Sequence, residues 1–592
     1  MNKQVCILIL ILLVSLHISI PGSSVVSCAA FYILAVALTC IALPRIQDHI
    51  TWGVCNMLVI VYLIILIADR VIKSDVYGSD YFYFVIVCWL LFMVLRKLFL
   101  SRHIQKSIVC SIVVCAWIEI VLGFGQLYGL MENGNAFFQF GGSLGNPGAY
   151  SGYLSVIFPI VLSVYLTFRR NRKCENIQYL LLACLIFMLT LIVLSRSRGA
   201  WLASLIGCIF VIEHYFGVLK SIRKHFSRTQ RLVLSVLLGV GLLGGAFFLY
   251  KFKADSADGR LLVWKVALQA PRENILFGDG CGSFEANYSR WQRDYFASGK
   301  GTDREKFLAD YVTCAYNEFL QEFIDHGVVG TLLFFGIILL ALLQKDSHRS
   351  HIFIGAKASL LGFLVLCCIS YPLRIPLLYL QLIIVLALLL TQKSIRGHHV
   401  AKRTNSAVSL CLLLVVVFAS MMSLRQLYGL RLLENGLGRV AHGDLQGAIG
   451  NYKKAYPIMS DNGIFLFYYA SALLMANESE KSIEMLKRAE QKSSDPNICM
   501  MMGENYKKTG NLMAAREAYQ KAVNTIPSRL YPRSLIVHLL MDMRHKTEAC
   551  KLASEILQMK EKVPTTAGKE IKGEMRLIVN RLSNPQNRLP MK

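Results

Sequence analysis

Runs of mostly apolar residues, separated by polar or Pro/Gly breaks, recur through roughly the first 425 positions, and the remaining tail is more polar with a helical period. Thirteen runs approach the length a helix needs to cross a bilayer core: 5–20, 24–43, 53–68, 81–95, 107–130, 149–168, 179–194, 199–219, 232–250, 327–343, 353–370, 375–391 and 407–422. The fourth is the shortest. The pattern predicts an all-α chain: a polytopic transmembrane helical bundle of about thirteen helices over 1–423, a large loop at 251–326, and a helical tail over 424–592. Composition agrees, with 55% hydrophobic and 17% charged residues and a mean hydropathy of +0.48. Soluble domains carry roughly 25% charge. Disorder, a collagen-like chain and a small disulfide scaffold are excluded.

A formal net charge of +26 suggests nucleic acid until the charges are located. With the N-terminus in the cytoplasm, 21 basic residues fall on inside segments, among them Arg96, Lys97, Arg172, Lys173, Arg349, Lys393 and Arg396. The short outside loops hold 5: Arg70, Lys73, Arg196, Arg198 and Arg374. This asymmetry sets the orientation, turns the basic excess toward the cytoplasmic leaflet, and removes the support for a nucleic-acid partner. The large loop and the tail then face the periplasm. The N-terminus also has the outline of a signal peptide, with Lys3, an apolar run and Val25-Val26-Ser27-Cys28. A plain first helix is the preferred reading, because another span follows at once.

The tail repeats. Ala448, Tyr452 and Ala455 recur as Ser482, Leu486, Ala489, then Ala515, Tyr519, Ala522, then Ala549, Ala553, Ile556, at spacings of 34, 33 and 34. Small residues stand where two helices approach and large ones fill the gap between them. Gly510-Asn511 and Pro527 supply turns. The period and pattern resemble tetratricopeptide repeats, an α-solenoid, which implies a surface for a protein partner or an acceptor and no bond-making role.

Most of the 17 cysteines lie in apolar spans, where a thiol behaves as a small hydrophobe. Cys281 and Cys314 share the large loop, where a bridge and free thiols are both open. No metal-ligand spacing occurs, and no cofactor or metal is expected. His398-His399 reads as a solvated pair. Asp255 and Asp258 read as solvated loop residues in preference to a metal pair, and Gly278, Gly280 and Gly282 as a tight turn without the lysine of a nucleotide loop.

Three outer clusters remain, and charges beside a spanning helix are functional suspects. The turn Ser195-Arg196-Ser197-Arg198-Gly199-Ala200-Trp201 breaks the charge rule with two arginines. Gly145-Asn146-Pro147 and Gly259-Arg260 with Trp264 lie on neighbouring outer segments, and the loop closes with Tyr316-Asn317-Glu318-Phe319-Leu320-Gln321 before Gly327 and Gly330. A guanidinium offers paired donors to phosphate oxygens. The alternative is anchorage of Arg196 and Arg198 to membrane lipid headgroups.

Taken in order, with Phe277-Gly278-Asp279-Gly280-Cys281-Gly282-Ser283-Phe284 between the last two, these motifs resemble the O-antigen ligase and polymerase family of bacterial inner-membrane glycosyltransferases. The resemblance implies an undecaprenyl-diphosphate-linked glycan donor, a lipid, glycan or protein acceptor, and transfer at the periplasmic face. It assigns Arg198 and Arg260 to the carrier diphosphate, with Arg196 and Asn146 as further substrate contacts. The family usually has His before the Asn of its last motif; here Tyr316 stands there. A phenol is a poor base near neutrality. Tyr316 is therefore expected to orient the acceptor hydroxyl, with Asn317 beside it and Glu318 or Glu322 taking the proton. His326 is expected about 15 Å farther along a helix. Rival readings are a protein O-oligosaccharyltransferase of the same family and a flippase or transporter for the same lipid. A flippase needs polar residues deep in the helices, whereas these charges gather at one face.

Overall fold

The computed structural model describes residues 2–17, 24–48, 51–52, 54–72, 79–171, 174–272, 274–345, 350–391, 398–399 and 402–583. Lys73, Arg172, Lys173, Arg349, Lys393 and Arg396 lie outside the described residues. Each of the thirteen apolar runs falls on a helix. Among the described residues nine helices are long and apolar enough to cross a membrane, and Lys3–Ser15, Cys28–Leu43 and Pro376–Leu390 are shorter apolar ones. Among the described residues the one strand pairing is a two-residue antiparallel pair, Thr51 with His399 and Trp52 with His398.

Close helix crossings form the bundle core. Pro147–Arg170, Arg198–Phe216 and His351–Ile369 pack mutually. Small residues permit it: a Cβ on Gly207 would meet Pro159, and one on Gly362 would meet the Ala203 carbonyl. The first helix, Asn2–Ser15, belongs to this core through Val5 and Ile9. Just beyond it, His17 Nδ1 lies 2.6 Å from Glu119 Oε1, both fully buried. The stretch Val25–Cys28 falls within the helix Ser24–Asp48.

One helix matters to the site because it breaks. Glu318–Leu343 is interrupted at Gly327, with φ 67° and ψ −169°, a geometry open to glycine and costly for other residues. The freed backbone finds partners in the segment before it in sequence: Val328 N donates to Ile275 O at 3.0 Å and Val329 N to Leu276 O at 3.0 Å. In return Asp279 N donates to Ile324 O and Gly280 N to Asp325 O, each at 2.9 Å. A Cβ on Gly278 would lie 2.5 Å from Gly327 N, so the two backbones touch. The glycine-rich segment is thus a lace that satisfies a broken spanning helix.

At the other end of the chain, a 40-residue helix, Lys402–Ala441, runs without a break from the bundle into the first repeat pair. The boundary expected between 423 and 424 falls inside it. Four helix pairs follow the predicted period, closed by Thr566–Ser583. Every one of the twelve small and large repeat positions is at most 2% exposed. Four identical turns join the two helices within each pair. Gly443, Asn477, Gly510 and Arg544 all have positive φ, and the residue after each donates to a carbonyl five back: Asp444 to Arg439, Glu478 to Leu473, Asn511 to Tyr506, His545 to Leu540. This is the glycine-favouring helix C-cap, recurring at the same 34, 33, 34 spacing.

Candidate functional site

Four cations meet at one end of the bundle. Arg198 is the first residue of the helix Arg198–Phe216, and its Nη1 donates to Leu249 O at 2.6 Å. Arg260, on the helix Ala254–Gln269, donates to Ile369 O. Each guanidinium is therefore held by a carbonyl near a helix C-terminus and keeps other N–H groups for a ligand. Lys253 Nζ donates to the carbonyl of Arg196, a residue with φ 52°, at 3.0 Å. Burial first, then Arg198, Arg196 and Arg260, push the Lys253 ammonium below its ordinary value. Burial likewise lowers Arg260. Among the described residues none of the four forms an ion pair with a carboxylate.

Tyr316 closes one side. The Arg260 guanidinium carbon lies 5.1 Å from its ring centroid, and Tyr371 meets it edge-on at 5.6 Å. Burial pushes the phenol well above its usual value, so it stays protonated and keeps its O–H for donation. The backbone here is pinned on both sides: Trp264 Nε1 donates to Ala315 O at 2.8 Å, and Ala315 N donates to Gln321 Oε1 at 2.9 Å. Asn317 caps the helix Glu318–Leu343, accepting from Leu320 N at 3.1 Å, and donates to Cys368 O at 3.2 Å. Its side chain serves the fold. Asn146 likewise caps the helix Pro147–Arg170, accepting from Gly148 N and Ala149 N.

Glu318 turns away from this group. It is 1% exposed and accepts from Leu373 N at 2.7 Å, inside a closed cavity with about 20 Å³ of free space, room for one water. Glu322, Asp325, His326, Tyr62 and Arg374 line the same cavity. Asp325 is fully used: Oδ1 accepts from Ser283 Oγ and Phe284 N, and Oδ2 from Gln321 Nε2 at 3.0 Å and Arg374 Nη2 at 3.2 Å. Burial works against the Arg374 charge, yet Asp325 outweighs it and holds the guanidinium above its ordinary range. Tyr62 OH donates to Glu322 at 3.3 Å, and His326 Nε2 stands 4.0 Å from the same oxygen. Cys281 and Cys314 are free thiols, pushed up to about 12 by burial.

The region that joins both groups is also where the chain matches known proteins. The family model described as O-Antigen ligase matches residues 183–335, from the helix before Arg196 to beyond the break at Gly327. The chain carries an O-antigen ligase domain. Such a domain implies a multi-pass membrane protein that transfers glycans and uses lipid-linked glycan substrates. No curated protein matches the chain. Solved structures also match, two of them over about a third of the chain at 15% identity: one titled "MamA RS-1 ArsTM double mutant" covers 31% of this chain and 88% of its own, with a TM-score of 0.20. The other, "Functional Characterization of Pseudomonas Aeruginosa pilF", covers 31% and 87%, with a TM-score of 0.21.

Of the expected site residues, Arg196, Arg198, Arg260 and Tyr316 come together, whereas Asn146, Asn317 and Glu318 are engaged in capping or in the closed cavity. Asp255 and Asp258 both bind Arg304, the latter at 3.2 Å. Sequence reasoning passed over Lys253 and did not treat Arg374 as more than a loop charge. Arg374 carried the signal that marked Arg196 and Arg198, a basic residue in a short loop expected on the sparsely charged outer side, whereas Lys253 stands among the many basic residues of the large loop and carried none.

Proposed function

We propose that this ligase domain moves a glycan from a polyprenyl-diphosphate carrier to an acceptor hydroxyl at the periplasmic face of a bacterial inner membrane. The observation that carries the reading is the group Arg196, Arg198, Lys253 and Arg260, four cations without a carboxylate partner among the described residues. The acceptor oxygen attacks the anomeric carbon as the bond to the diphosphate breaks, and fixed cations stabilise the charge that the diphosphate gains. Arginine gives paired donors, and a partly desolvated guanidinium attracts an anion more strongly than a hydrated one. The protonated Tyr316 donates a hydrogen bond to orient the acceptor. Glu318 is engaged by Leu373 N, and the proton of the acceptor hydroxyl passes through water to the diphosphate that leaves. The orientation rests on the charge asymmetry of the loops, and the division into 1–423 and 424–592 on the change of pattern.

The deciding experiment uses the purified full-length chain in lipid with an undecaprenyl-diphosphate-linked glycan, offered in separate arms a lipid core, a growing polysaccharide and a hydroxyl-bearing peptide. Release of the carrier diphosphate with glycan on one acceptor is expected. Retention of activity by both Arg198→Ala and Arg260→Ala would refute the clamp.

A further inference from the structure

The repeat array does not stand apart from the large loop. Its inter-pair turns run along the loop side, and each meets a residue of the bundle or the loop. Asp461 pairs with Arg70 at 3.2 Å. Ser494 Oγ accepts from Ser289 N at 3.1 Å and donates to Glu285 O at 3.2 Å. Arg290 donates to Glu490 O and Gln491 O at 2.9 and 2.8 Å, placing a cation on the C-terminal end of the helix Ser479–Lys492. Lys562 donates to Leu308 O at 3.2 Å and meets Asp310 Oδ2 at 3.0 Å, while Arg529 meets Asp310 Oδ1 at 3.5 Å.

Gln292 is where three segments meet. It is 1% exposed, on the helix Ser283–Ala297, and both ends of its amide are used. Its Oε1 accepts from Tyr288 OH at 3.0 Å. Its Nε2 donates to Thr525 O, in the array, at 2.7 Å and to Asp310 O at 3.1 Å. Asp310 is six residues before Tyr316, and the chain between them is short and fixed at Ala315 by Trp264 and Gln321. A shift of the array is therefore passed to Tyr316 through a few backbone bonds.

We propose that the array holds the segment 310–316, with Gln292 as the positioning residue, so that the repeats help to place Tyr316 against Arg260. This rests on the glycan-transfer reading only for its kinetic consequence. A surface ion pair is weak by itself. A buried amide that joins two carbonyls from distant parts of the chain is not, because its removal leaves the buried Thr525 carbonyl without this donor and frees the Asp310 carbonyl from the array.

The test is hydrogen exchange on the full-length protein in lipid, paired with transfer kinetics. Gln292→Ala should speed exchange of the 310–316 amides by about tenfold or more and leave the helix Arg198–Phe216 unchanged. In the same variant kcat should fall by about tenfold, with the KM for carrier-linked donor within about twofold of the parent, since the donor cations stay in place. The second arm is a charge exchange. Asp310→Lys should loosen the segment, and adding Arg529→Asp and Lys562→Asp should restore protection and rate together, which a fault confined to the loop would not do. Unchanged exchange in both Gln292→Ala and Asp310→Lys would overturn the proposal. So would faster exchange with parental kinetics in an active protein. If the parent transfers no glycan, the functional reading fails and the exchange result alone decides whether the array holds the segment.

Discussion

Two clusters of charge draw on the segment that matches the ligase family, and they have opposite logic. Around Arg198 and Arg260 the cations lean on carbonyls and on one another, with no anion supplied by the described residues. Around Asp325 every carboxylate oxygen has donors from the protein, and Arg374 balances it. A cluster of like charge is unfavourable until a ligand completes it, so it belongs to binding and reaction. A buried ion pair whose partners are both supplied by the protein is complete already, so it belongs to the fold. Both contain an arginine at the outer side of the sequence map, and partners alone tell them apart.

The comparison breaks most visibly at Asp325. Asp325→Ala leaves Arg374 buried and unpaired, a cost of about 3–5 kcal/mol, and should cut the amount of folded protein recovered in membranes, with any residual protein still binding carrier-linked donor. Arg260→Ala should do the reverse. Transfer should drop by about 10²–10³-fold, worth roughly 2.7–4 kcal/mol of transition-state stabilisation, with normal insertion and thermal unfolding. Loss of folded protein in the second variant and not the first would invert the assignment.

Smaller substitutions sharpen the contrast. Arg198→Lys keeps one charge and loses the fork, and a rate about tenfold below the parent is expected, well above that of Arg198→Ala. Tyr316 is tested by pH. Its phenol is raised by burial, so the neutral form persists through the neutral range and is lost only above the ordinary phenol pKa of about 10. A donor role predicts a flat pH–rate profile from about pH 7 to 9, a several-fold loss in Tyr316→Phe, and no gain in Tyr316→His. A parental rate that climbs with pH and a more active His variant would make position 316 the base. Least of all, Arg544→Gly should stabilise the repeats by about 1 kcal/mol, because it removes a side chain from a left-handed cap that Gly443 and Gly510 already fill. A rise of about 2–4 °C in the unfolding of the array would be the readout.

Much of the architecture was legible because it is periodic. Apolar runs of bilayer length marked every spanning helix, and a 34-residue recurrence of Ala and Tyr located helix pairs whose caps later proved to share that spacing. The outer basic residues that broke the charge rule were informative as well: Arg196 and Arg198 join the cation group, Arg374 pairs with Asp325, and Arg70 pairs with Asp461 of the repeats. What stayed hidden was direction. Glu318 reads as an acid beside Tyr316, yet it points into the closed cavity, since its helix is stopped at Gly327 and anchored by Leu373 N from 55 residues away. The attachment of the array was hidden for another reason. Its bonds end largely on the carbonyls of Glu490, Gln491, Thr525 and Leu308, and a backbone oxygen carries no mark of residue type.

The unbroken helix Lys402–Ala441 has one more consequence. At 1.5 Å per residue it is a shaft about 60 Å long, and it sets the angular phase of the array as well as its height. One residue inserted between 424 and 430 would rotate the repeats by about 100° and carry Thr525 away from Gln292. Seven residues would bring the phase back nearly to zero while lifting the array by about 10 Å. The repeats are thus clocked to the bundle, and a change in helical phase would uncouple them without altering any residue that touches the loop.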